Sequence, residues 1–66
     1  MDKKVKLIAK QIPVAEVKAR QQELRETYYH VRLILGDDDG AARRNAEELL
    51  RRSLSTGVIV EIAQSL

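Results

Sequence analysis

The sequence predicts an α+β fold of the order strand–helix–helix–strand. A helical hairpin packs on a small antiparallel sheet, and dimerisation completes the sheet. Three observations carry this reading. Apolar residues alternate with lysines near the N-terminus, the apolar period lengthens to three and four through the middle, and the strand-like run "VIVEIA" follows near the C-terminus. The stretch "GDDDG", Gly36 to Gly40, divides the helical part in two.

The first strand is "KKVKLIAKQI", Lys3 to Ile12. Val5, Leu7 and Ala9 fall on one face, and Lys4, Lys6 and Lys10 on the other. Alternation of this kind marks a strand with one buried face. The lysine face is the expected outer one. It also carries Ile8 and Ile12, so it is partly covered. Pro13 has no N–H for a sheet ladder and ends the strand, yet it fits the first turn of a helix.

The next element is predicted as one helix, Val14 to Leu35. Val14, Val17, Gln21, Leu24, Tyr28, Val31 and Leu35 recur at spacings of three and four, a heptad-like seam with one polar member. Glu16 and Arg20 form a well-oriented i,i+4 pair. "YYHVRLIL" is rich in aromatic and β-branched residues and also reads as a strand. Helix is preferred because the seam continues through it and no turn residue precedes Tyr28.

Gly36 stands where a helix takes a left-handed closing residue, and any of Asp37, Asp38 and Asp39 suits the start of the next helix. "AARRNAEELLRRSL" continues that helix to about Leu54, with Ala42, Ala46, Leu49 and Leu50 as its apolar stripe. Arg43–Glu47–Arg51 and Arg44–Glu48–Arg52 read as two i,i+4 ladders. "STG", Ser55 to Gly57, ends the helix, and Val58 to Ala63 forms the last strand, with Ile59 on the outer face.

The 66 residues make a single small domain, 1–66. Domains of this size commonly draw on disulfides, a metal or oligomerisation. The chain has no cysteine and one histidine, His30, which leaves oligomerisation. The apolar seam outruns what the second helix is expected to cover. The expected homodimer interface is therefore Val17, Gln21, Leu24, Tyr28 and Val31, with Gln21 helping to fix register. No apolar run reaches the ~20 residues of a membrane span, and the N-terminal segment lacks a secretory core. The expected setting is cytoplasmic, without membrane contact.

Candidate chemistry is sparse. A calcium loop aligned on Gly40 would place Leu35 first and Ala46 twelfth, where acidic ligands belong. "GDDDG" therefore reads as a capped corner, and no metal or cofactor is expected. His30 has Glu26 four residues before it but no local nucleophile, which leaves a structural or surface role. Tyr28 and Tyr29 read as anchors with one polar end. The basic residues fall in two groups, on the first strand and the second helix. Lys4, Lys6, Lys10, Arg43, Arg44 and Arg51 would be the contacts in a nucleic-acid-binding alternative. Twelve basic against ten acidic residues, +2 overall, give that alternative modest support. There is no phosphate-binding glycine loop, nucleophile elbow or zinc spacing. The sequence thus predicts no enzyme, but a small interaction or regulatory module acting as a homodimer. Its partners would be itself and possibly a second protein, with nucleic acid the second choice.

Overall fold

Proline and glycine set the boundaries of this chain. The computed structural model describes residues 5–64. Strand β1 is Val5–Gln11, and Pro13 stands ahead of helix α1, Val14–Ala19. Helix α2 is Gln21–Ile34, α3 is Asp39–Thr56, and β2 is Val58–Gln64. Lys3 and Lys4 of the expected first strand lie outside the described residues.

Tyr28 to Ile34 is helical, as the unbroken seam requires. The single helix expected over Val14 to Leu35 is instead two, parted at Arg20. Arg20 has φ −105° and ψ 17°, and its N–H is shared between the carbonyls of Glu16 and Val17 at 3.1 Å each. Its side chain reaches Glu61 on β2 at 3.1 Å. The break thus coincides with a tertiary ion pair, and no glycine or proline announces it.

The corner after α2 is a Schellman motif. The N–H of Gly36 donates to the Leu33 carbonyl and that of Asp37 to the Arg32 carbonyl, both at 3.0 Å, with Gly36 at φ 108°. Asp38 caps α3 by accepting from the Ala41 N–H at 2.8 Å. Gly57, at φ 78°, closes α3.

The core is made by one face from each helix and by β2. Val17, Leu24, Tyr28, Ala46, Leu50 and Ile59 pack together, all nearly inaccessible to solvent. Ala42 and Ala46 lie on the buried stripe of α3, where small side chains permit close approach to α2. Ser53, outside the expected stripe, is buried because its hydroxyl meets that of Tyr28 at 2.6 Å. Leu49 is only half-buried. At 18 residues, α3 is longer than the 14-residue α2, contrary to the expectation of a long first helix overhanging a short second one.

The strands form a two-stranded antiparallel sheet, from Val5↔Gln64 to Gln11↔Val58 without a bulge. Directly opposed residues share a face. Ile59 opposes Lys10 and lies in the core, so the lysine-bearing face of β1 is the inner one. The sequence reading had the faces reversed. Ile59 settles the orientation, while β1 extends past the helices and keeps its lysines in water. The outer face carries Leu7, Ala9, Val58, Val60 and Ile62.

The hydrogen-bonding direction of β1 follows from its end. The Ile12 N–H donates to the Gly57 carbonyl at 2.8 Å, one step beyond Gln11↔Val58. Paired bonding alternates along an antiparallel ladder. The even residues Lys6, Ile8 and Lys10 therefore bond to β2, and the odd residues Leu7 and Ala9 turn their N–H and C=O to the open edge. Val60, opposite Ala9, agrees: its N–H points away from β1 and donates to the Tyr28 hydroxyl at 3.3 Å.

Candidate interaction surface

The three aspartates of the corner diverge, each to its own partner. Asp37 accepts from Arg32 at 2.7 Å and from the Asn45 amide at 2.8 Å. Asp38 caps α3, and Asp39 takes the Tyr29 hydroxyl and Arg43. Arg32, followed by Asn45, holds the Asp37 carboxyl below the usual range for an aspartate. Tyr29, followed by Arg43, does the same for Asp39. The Asp39 hydrogen bond raises the Tyr29 phenol in return. Among the described residues, no group of three or more His, Cys, Asp or Glu side chains is placed to hold a metal.

A second polar cluster joins the helices to the sheet. Arg20 bonds Glu23 at 2.9 Å and Glu61 at 3.1 Å, and Lys10 reaches Glu61 at 3.2 Å. Arg20, then Lys10, holds Glu61 below its ordinary value, and Arg20 holds Glu23 down. His30 lines the shallow cleft beside this cluster together with Thr27 and Ile62. It is exposed, its ring 5.4 Å edge-on from Tyr29. The expected neighbour Glu26 does not bond it, and Arg20 occupies the two acids of the cleft.

The basic residues are largely paired. Lys10 has Glu61, Arg43 has Asp39, and Arg51 and Arg52 share Glu48. Of the two expected arginine ladders, only Glu48–Arg52 forms at i,i+4 spacing. Glu47 turns across the hairpin to Arg25 instead. Neighbouring helices compete for the same side chains, and intrahelical spacing does not reveal the winner. Among the described residues, Lys6 and Arg44 make no ion pair. Lys4 of the nucleic-acid set lies outside them.

The seam offered to a partner is filled from within the chain. Val17, Leu24, Tyr28 and Val31 are 0–3% exposed, and Gln21 is half-buried. Only the seam's ends, Val14 and Leu35, remain exposed. A second copy would have to meet other residues.

The exposed apolar residues lie elsewhere. Every β1 residue from Lys6 to Gln11 is exposed, including Leu7 at 42% and Ile8 at 44%, which project from opposite faces. Val58 on the neighbouring strand is 43% exposed. Leu33, Ile34 and Leu35 form a second exposed group at the end of α2. Sequence alternation identified β1 as a strand, but only the placement of the helices over β2 shows that neither of its faces is covered. No helix among the described residues is long and apolar enough to cross a membrane. No family model, curated protein or solved structure matches the chain.

Proposed function

We propose that this chain is a non-enzymatic interaction or regulatory module that works as a cytoplasmic homodimer, with the β-ribbon as its working surface. The observation that carries the reading is the exposure of β1 from Lys6 to Gln11, with Leu7 and Ile8 each more than two-fifths open to solvent. A two-stranded ribbon is marginal in water, and independent stability takes further strands or fuller helix cover. This ribbon has helix cover over β2 only. Specific interfaces cover about 800 Å² on each partner. That is about one-sixth of the 4747 Å² surface of this chain, and a strand open on two faces and one edge has room for such a patch.

The polar clusters support the same reading. The carboxylates of the corner and the cleft hold arginines, lysine or backbone in place, which is the work of a scaffold. Sedimentation equilibrium at low micromolar concentration, with thermal melts over a concentration series, tests the proposal. A dimer mass and a melting temperature that rises with concentration are expected. A monomer mass with a concentration-independent melting temperature would refute it.

A further inference from the structure

We infer that the open edge of β1 is the dimer contact. A second copy adds its own β1 antiparallel across a twofold axis, with Ala9, and not Leu7 or Ile8, on that axis. The result is a continuous four-stranded sheet, β2–β1–β1–β2. This inference rests on the homodimer reading above and specifies its surface.

The edges of the ribbon differ. The β2 edge is closed at Val60 by the Tyr28 hydroxyl. The β1 edge presents the N–H and C=O groups of Leu7 and Ala9. A strand edge of this kind templates the addition of another strand unless proline, a bulge, shortness or charge blocks it. Here the strand runs seven residues with an unbroken register and no internal proline. The remaining defence is lysine, at Lys6 and Lys10.

Those lysines select the pairing. A twofold axis normal to the sheet keeps each face on its own side, so the axis passes through a single residue. Centred on Ile8, it would set Lys6 against Lys10 of the second copy twice, and like charges directly opposed are unfavourable. Centred on Ala9, it sets Lys10 against Ile8. Centred on Leu7, it would set sequence position Lys4 against Lys10 twice, the same opposition of like charges. In the permitted register, centred on Ala9, Ile8 lies between Lys10 and the Glu61 of the other copy, because Ile8 opposes Glu61 within its own ribbon. The two charges then stand two strands apart, about 10 Å along the sheet, within reach of two long side chains. A second copy thus supplies charge complementarity as well as the missing strand.

Single cysteines in this cysteine-free chain read the axis directly. Leu7→Cys, Ile8→Cys and Ala9→Cys are each oxidised under mild conditions, with Lys18→Cys on exposed α1 as control. A residue on the axis faces its own copy within disulfide range. Disulfide dimers at Ala9, with none at Leu7, Ile8 or Lys18, are expected. In parallel, Ala9→Pro removes an outward N–H without touching the β1–β2 ladder, a placement that edge strands tolerate. It should sediment as a monomer while keeping the helical circular dichroism. A dimer that does not cross-link at Ala9, or that persists in folded Ala9→Pro, overturns the edge contact and leaves the homodimer reading standing. A wild-type monomer overturns both.

Discussion

Tyr28 is where one side chain joins the most parts of the molecule. Its ring lies in the core, and its hydroxyl meets Ser53 of α3 and the Val60 N–H of β2. Tyr28→Phe keeps the ring and strands both partners, and an unsatisfied buried polar group costs about 1–3 kcal/mol. Urea denaturation should show a loss of that order. Ser53→Ala in the same background should recover part of it, whereas simple additivity of the two losses would show that the hydroxyls are not coupled. Asp37 gives the residue scale a pH dependence. Arg32, then Asn45, depresses its folded-state pKa, so the unfolded chain takes up this proton at higher pH than the folded one. The stabilisation is fully present above the unfolded value of about 4 and disappears as pH falls through the lower folded value. Thermal melts between about pH 6 and pH 2 should show a shallower acid loss in Asp37→Asn than in wild type. Equal slopes would leave the Arg32–Asp37 pair without a role in acid stability. None of these partners is visible in the sequence, since Tyr28, Ser53 and Val60 come from three separate elements.

Two glycines end the long helices, and they differ in what surrounds them. A side chain at Gly36 would meet nothing within 4 Å, so Gly36→Ala carries only the strain of its positive φ, roughly 1–2 kcal/mol. A Cβ at Gly57 would lie 2.5 Å from the Ile12 carbonyl oxygen, on top of the same kind of strain. Gly57→Ala should therefore lower the denaturation midpoint distinctly more than Gly36→Ala. Equal losses would mean that the Ile12 backbone gives way freely. The end of α2 was legible in the sequence, because a left-handed residue after an apolar period is a local signal. The end of α3 was legible as the segment Ser55 to Gly57, although the expected last residue, Leu54, is two residues short of where the helix stops at Thr56. So were the helical state of Tyr28 to Ile34 and the antiparallel strand pair. The division at Arg20 was not legible: "KARQQE" is a run of good helix formers, and the feature at the break, Glu61, is 41 residues away. The periodicity also identified which face of α2 is buried while leaving open what buries it. That is why residues expected at a dimer interface lie against α3 and β2.

For the whole molecule, charge is distributed as pairs more than as a field. With a net formal charge of +2, and with Lys10, Arg43 and Arg51 of the expected cationic contacts already bonded to carboxylates, the surface offers phosphate little that is free. Binding to duplex DNA is expected to be weak, indifferent to sequence and lost by physiological salt. Fluorescence anisotropy against a salt series measures this, and a sequence-selective complex surviving at physiological salt would establish nucleic acid as the partner. Burial limited to one side of the ribbon has the opposite implication, since apolar attraction does not weaken with added salt. Self-association through β1 should persist under the salt conditions that abolish DNA binding.

The ladder between the first and last strands also bears on the order of folding. Its partners are 47 to 59 positions apart, from Gln11↔Val58 to Val5↔Gln64, whereas α2 and α3 meet across a corner of four residues, Leu35 to Asp38. Closing the larger loop costs more chain entropy and returns nothing until the strands are aligned. The helical hairpin should be largely formed in the folding transition state and the ribbon should follow it. Stopped-flow kinetics would then show Ala46→Gly slowing folding and Ile59→Val mainly quickening unfolding. The strand whose edge carries the proposed contact is thus expected to be among the last parts of the chain to fold.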